Sequence, residues 1–173
     1  MSGEVAAGAD SAAWDQLARA AAQRREAPAP AERVRQLLCL RVEESIYAVG
    51  VENVREIVRV RTITPIPRVA AEVRGVISLR GEIIQVIDLR LRLGLTTTVS
   101  ARATRIVVVQ AEDGRVAGVL VDGVREVLRV PESAIGPAAP GDQLGVVAAL
   151  CAHGSEFVSL VDLDRLLELD GHA

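Results

Sequence analysis

Few residues in this chain have the types and spacing that chemistry demands. Cys151-Ala152-His153 places a thiol and an imidazole two positions apart, a pair of ligand types that zinc accepts. No second ligand pair follows at useful spacing, and the other histidine, His172, lies at the extreme C-terminus. Asp88 and Asp162 each stand immediately before a Leu-rich stretch. Two catalytic carboxylates must converge on one bond, whereas helix N-capping accounts for both aspartates at once. No Ser, Cys or Thr neighbours a His in a nucleophile motif, and no Gly-rich loop opens a helix to cradle phosphate. The expectation is therefore no catalytic residue, no metal and no cofactor. What remains is binding chemistry: an arginine at Arg80, between two glycine-punctuated apolar runs, and a glutamate at Glu56 within an apolar strand.

The elements that position these residues occur twice. Val54-Arg55-Glu56-Ile57-Val58-Arg59-Val60 returns 70 positions later as Val124-Arg125-Glu126-Val127-Leu128-Arg129-Val130. Leu37–Leu40 is echoed by Ile106–Val109, Gly75–Ile77 by Gly145–Val147, and Gln85–Leu89 by Ser159–Leu163. Short apolar runs separated by Gly, Pro and acidic turn signals read as strands, about five per unit. In the first unit these are Leu37–Val42, Tyr47–Val49, Val54–Val60, Gly75–Leu79 and Glu82–Ile87, with Arg80-Gly81 as a tight turn. In the second they are Arg105–Gln110, Arg115–Val121, Val124–Val130, Gly145–Leu150 and Glu156–Val161. Asp88 opens a short helical turn closed by Gly94, and Asp162 opens a final helix through Leu169. Five short, twisted antiparallel strands close naturally into a small barrel of SH3-like or OB-like type. The units cover about 36–100 and 104–170 of a domain spanning 34–173.

Composition narrows the class. Half of the 173 residues are hydrophobic, yet there is one Trp, one Tyr and one Phe. Methyl-rich side chains without aromatics suit small β-barrels. The scarcity of aromatics and the net charge of −3, with no basic block, argue against nucleic acid as a partner. Apolar runs fall far short of the roughly 20 residues needed to cross a bilayer. The start of the chain has no basic, then apolar, leader pattern. A cytoplasmic protein without membrane insertion is expected. Cys39 lies in an apolar run and reads as a buried free thiol.

Residues 1–33 differ from the rest. Ser11 to Arg25 is Ala-rich, with Trp14, Leu17, Ala18 and Ala21 on one helical face, before Ala27-Pro28-Ala29-Pro30 breaks it. This is an N-terminal extension with a short helix and a stiff linker, either a solvated tail or a docking helix.

Each polar residue has a control in the other copy. Glu56 and Glu126 repeat on the polar face of their strands, which suits a solvated face or an edge guard and leaves room for binding by one copy. The turns differ: Ser78-Leu79-Arg80-Gly81 occurs in the first unit, and Ala-rich sequence with about four extra residues replaces it in the second. An arginine that the fold does not repeat, on an exposed turn, suits recognition by bidentate contacts.

Gly75-Val-Ile-Ser-Leu-Arg-Gly-Glu-Ile-Ile-Gln-Val-Ile-Asp-Leu-Arg90 resembles the signature of the CheW family, the coupling proteins of bacterial chemotaxis arrays. Val54-x-Glu56-Ile57 and Val116-Ala-Gly118-Val-Leu-Val-Asp122-Gly-Val124 resemble two further family segments, so the likeness runs over about residues 36–170. It departs at Ser78, where the family usually has Asn, and at Gln85, where it usually has Pro. The resemblance implies an all-β fold of two intertwined five-stranded SH3-like barrels with a hydrophobic seam. It implies a non-enzymatic adaptor between chemoreceptor cytoplasmic signalling domains and the regulatory domain of a CheA-type histidine kinase, recruited to receptor arrays. A related scaffold in a pathway for surface motility, development or second-messenger control is the alternative. By position, Val54, Glu56, Gly75 and Arg80 are the expected receptor-binding residues, while kinase contacts are assigned only to barrel-end apolar surface.

Overall fold

The apolar runs that open each repeat, Leu37–Leu40 and Ile106–Val109, are continuous rather than alternating, which marks strands covered on both faces. The computed structural model describes Asp15, Gln16, Arg19 and residues 31–96, 101–142 and 144–169. In it the first run lies in β1 (Val34–Val42) and the second in β6 (Arg105–Gln110). Leu37 and Cys39 of β1 enter one apolar cluster, while Leu38, Leu40 and Val42 enter another. Likewise Ile106 and Val108 of β6 face one cluster, and Val107 and Val109 the other. The shared cluster, which also takes Val119, Val121, Leu163 and Leu166, is a seam between two barrels.

The other strands are β2 (Ser45–Gly50), β3 (Val54–Arg59), β4 (Val73–Leu79), β5 (Glu82–Asp88), β7 (Val116–Val121), β8 (Gly123–Pro131), β9 (Ile135–Pro137), β10 (Val147–His153) and β11 (Glu156–Val161). Two short helices, α1 (Leu89–Arg92) and α2 (Leu163–Leu167), follow β5 and β11. Barrel one is the sheet β3-β6-β7-β5-β4, and barrel two the sheet β8-β1-β2-β11-β10-β9. Each barrel thus draws strands from both sequence repeats, which is the intertwining that the family resemblance implied. Barrel one is contiguous along the chain, whereas barrel two gathers β1 and β2 with β8 to β11.

Closure differs between the two. In barrel two the edges β8 and β9 are one stretch of chain, linked by a single 3-10 turn at Glu132–Ala134. In barrel one, Thr64 bridges to Val76 of β4 through two backbone hydrogen bonds of 2.8 Å each. The expectation of purely antiparallel strands needs correction: β5 pairs with β7, and β2 with β11, in parallel. These partners come from different repeats, so no hairpin fixes their direction.

The aspartates cap as expected. Asp88 accepts a bond from the Arg90 backbone N–H at 3.0 Å, and Asp162 from that of Arg165 at 3.1 Å. Gly94 closes α1 at a φ of 74°. The final helix ends at Leu167, short of Leu169, and Arg92 reaches across to donate to the carbonyls of Arg165, Leu166 and Glu168 around its end.

Contacts divide the chain into Met1–Arg33 and Val34–Ala173. In the first unit Asp15, Gln16 and Arg19 are helical and exposed. Trp14, Leu17, Ala18 and Ala21, the helical face read from the sequence, lie outside the described residues. No helix among the described residues is long and apolar enough to cross a membrane.

Candidate functional site

Leu79 of β4 is the register partner of Glu82 of β5, so the hairpin turns on two residues, Arg80 and Gly81. Both have positive φ, 51° and 87°. That is the type I′ pattern, whose twist matches the flanking strands and whose first position ordinarily holds Asn, Asp or Gly. Arg80 occupies it despite the crowding of its Cβ, and its side chain is 80% exposed.

Its partner is Glu56. The sequence pattern put Glu56 on the polar face of β3, but the strand turns the other way. Val54, Glu56 and Val58 are partly buried, while Arg55, Ile57 and Arg59 are exposed. A bulge between Val54 and Glu56 in the pairing with β6 sets this register. Glu56, with its side chain 27% exposed, receives Arg80 Nη2 on Oε2 at 3.3 Å. Because β3 and β4 are opposite edges of one sheet, closure of the barrel is what brings the two residues together.

A second pair, Arg55–Glu82 at 3.5 Å, lies alongside. The four charges rim a depression of ≈ 330 Å³ with Leu79, Ile84 and Val108, buried members of the barrel-one core, also in its lining. Alternating charges around an apolar floor suit a partner that buries one aliphatic or aromatic side chain and answers both signs of charge.

The second barrel supplies the control. Arg125–Glu156 at 3.8 Å reproduces Arg55–Glu82. The β10–β11 hairpin turns at Gly154 and Ser155, between register partners His153 and Glu156. The counterpart of Arg80 is therefore Gly154, and Glu126 is exposed with no cation opposite it among the described residues. The structure also corrects one repeat match. The bulges between Val73 and Gly75 and between Val147 and Ala149 are equivalent, so Gly75 answers to Ala149, not to Gly145. The four extra residues lie before β10, not in the hairpin.

Gly75 is buried at a φ of 133°. A Cβ there would stand 2.1 Å from the Thr64 carbonyl oxygen, so the glycine permits the bridge that closes barrel one. Val54 is partly buried and packs against the seam. The expected site residues thus separate: Arg80 and Glu56 meet at the barrel mouth, Val54 lines the strand beneath, and Gly75 shapes the hairpin from inside.

The CheW-like domain family matches residues 36–170. The chain belongs to the CheW family. The chemotaxis protein CheW of Rhizobium meliloti is 33% identical over 135 residues, covering 76% of this chain and 86% of that relative. CheW of Thermotoga maritima is 31% identical, covering 77% and 87%. Protein FrzA of Myxococcus xanthus is 33% identical over 139 residues, covering 77% and 85%. Among solved structures, the scaffolding protein TtCheW of Thermoanaerobacter tengcongensis superposes with a TM-score of 0.75 at 30% identity, covering 80% of this chain and 96% of that one.

Two CheW signature residues that the sequence left without a role prove to be joined. Arg90 donates to Asp122 at 2.5 Å, to Glu43 at 2.7 Å and to the Thr96 carbonyl at 3.0 Å. With its side chain 10% exposed, this arginine binds α1 to the β1–β2 turn and to the β7–β8 junction, where the chain passes from barrel one to barrel two.

Sequence reasoning also passed over Ile83 and Phe157, which are 77% and 69% exposed. They occupy matching places beside the two hairpin turns, in Glu82-Ile83-Ile84 and Glu156-Phe157-Val158. Two consecutive apolar residues on a strand face opposite ways, so one had to be outward, and that was the available signal.

Cys39 and Cys151 are buried and free. Burial above all, with the Glu126 charge adding to it, pushes the Cys39 thiol from 9.0 to about 11. Burial also raises Cys151. Both thiols stay protonated and inert near neutrality. His153 is exposed while Cys151 is not, and no group of three or more His, Cys, Asp or Glu among the described residues is placed to hold a metal.

Proposed function

We propose that this protein is a non-enzymatic chemosensory adaptor that couples the cytoplasmic signalling domain of a chemoreceptor to a CheA-type histidine kinase. The observation that carries the reading is the Arg80–Glu56 pair on the mouth of barrel one. It stands on a turn that a smaller residue would fill more cheaply, and it is missing from the matched place in barrel two. An exposed ion pair contributes only about 0–1 kcal/mol to a fold, so stability does not account for it. In the adaptor, the receptor engages the rim of Arg80 and Glu56, with Val54 and Gly75 setting its shape. The exposed Phe157, in a depression of ≈ 360 Å³ lined also by Ile46, Tyr47, Glu44 and Glu156, gives barrel two an aromatic side chain among carboxylates for the kinase. Signalling follows when the adaptor binds receptor states unequally, or passes their difference through a shared interface.

Arg80→Glu turns the pair into a repulsion at an exposed site. It is expected to abolish co-sedimentation with receptor cytoplasmic fragments while circular dichroism and the unfolding midpoint stay close to the parent's. Undiminished receptor binding by the folded variant overturns the assignment.

The likeness to FrzA, as high as that to the CheW proteins, supports a second reading on the same fold, an adaptor in another chemosensory pathway. Affinity capture from native lysate separates the two by which receptor and kinase come down together.

A further inference from the structure

Away from the Arg80 rim, Arg59, Arg102 and Arg105 line a second depression of ≈ 260 Å³, together with Val60, Ala101 and Thr104. No acidic residue is in the lining, and none of the three arginines has a carboxylate partner among the described residues. Arg59 and Arg105 are direct register partners on β3 and β6. Like charges placed opposite each other across a strand pair repel and destabilise the sheet. Arg105 is held in place by two bonds from Nη1, to the carbonyls of Arg102 and Thr104 at 2.8 Å each, and its side chain cannot swing clear of Arg59 without losing them. Thr104, 8% exposed, in turn accepts the Ala101 backbone N–H at 2.9 Å and fixes the loop that carries Arg102.

Barrel two shows that the fold does not need this arrangement. At the matched place Arg129 pairs with Gln36, and the like-charge contact is absent. We infer that the Arg59–Arg102–Arg105 depression is a binding site for a phosphate group. Three guanidinium groups with no internal counter-charge suit a divalent tetrahedral oxyanion better than a single carboxylate, because it spreads two charges over several acceptor oxygens. The phosphate belongs either to a small phosphorylated molecule or to a lipid headgroup that ends in a phosphate monoester, and both present the same dianion here.

The test uses the full chain with inorganic phosphate, read as a thermal shift and by isothermal titration at low salt, with chloride at matched ionic strength as reference. A saturable phosphate-specific shift is expected. Arg59→Gln, at an exposed position outside the barrel cores, is expected to weaken binding on the order of tenfold, the loss of one charge-assisted contact. The same variant should melt slightly higher than the parent without phosphate, because the cross-strand repulsion is gone. Arg129→Gln is expected to leave binding unchanged. Vesicles of phosphatidylcholine with and without phosphatidic acid identify the source: binding to phosphatidic acid vesicles that phosphate displaces assigns a headgroup, and binding of phosphate alone assigns a small molecule. No saturable response to either probe, or an equal response from Arg59→Gln, overturns the proposal.

Discussion

Arg80 sits where the backbone least welcomes it. A left-handed conformation costs an L-residue with a Cβ about 1 kcal/mol, and Asn tolerates it better by bonding to its own backbone. The interaction that the arginine gains in the free protein, an exposed ion pair to Glu56, returns at most a comparable amount. The side chain is thus held at the barrel mouth at little or no net gain to the fold. Arg80→Asn should therefore raise stability by up to about 1 kcal/mol, or roughly 2–4 °C in Tm for a chain of this size, while receptor binding falls. Opposite signs for the two readouts, by thermal unfolding and co-sedimentation, mark a residue kept for recognition. A loss of stability instead would assign Arg80 to the scaffold.

At the scale of elements, the β4–β5 hairpin depends on contacts behind it. The Thr64 bridge holds β4 against the chain leaving β3 and so aligns the turn with Glu56. Gly75→Ala places a Cβ 2.1 Å from the Thr64 oxygen on a residue whose φ is already positive. The expected cost is at least about 2 kcal/mol, seen as a lower urea midpoint, with receptor binding reduced because Arg80 loses its alignment. Unchanged stability would show that the approach is looser than the geometry requires. Much at this scale was readable beforehand: strand positions from apolar runs, the Arg80-Gly81 turn from its punctuation, and caps at Asp88 and Asp162 from their place before Leu-rich stretches. Local signals sufficed because turns and caps involve neighbours in sequence. The orientation of β3 was not readable, because a bulge shifts its phase, and nothing in Val-Arg-Glu-Ile-Val-Arg announces one.

Across the whole molecule, the two barrels share a seam and polar ties across it, the most buried of them centred on Arg90. Arg90, Asp122 and Glu43 come from α1, the β7–β8 junction and the β1–β2 turn. Removing Asp122 leaves Arg90 with the half-exposed Glu43 as its remaining carboxylate, and losing one of two partners at a buried charge costs about 1–3 kcal/mol. Asp122→Ala is expected to lose stability on that scale in urea unfolding. Asp113→Ala, which removes an exposed carboxylate that accepts from the Arg115 backbone and side chain within one turn, should change it far less. Comparable losses from the two substitutions would remove Arg90 from its place in the frame.

By itself the sequence determined the repeat, most of the strands, the caps, the Arg80-Gly81 turn and the CheW signature, since each is written in residues close together along the chain; the short β9 and the bounds of β10 were not among them. Only the tertiary structure decided which strands share a barrel. The repeats offer near-equivalent partners, and local pattern cannot choose between β1 and β6 as the neighbour of β3. Burial of both faces of β1 and β6 is met when the repeats exchange strands around a common seam. That exchange folds Arg90 onto Asp122, and barrel closure swings Arg80 over Glu56, so the site exists only once the whole chain has closed.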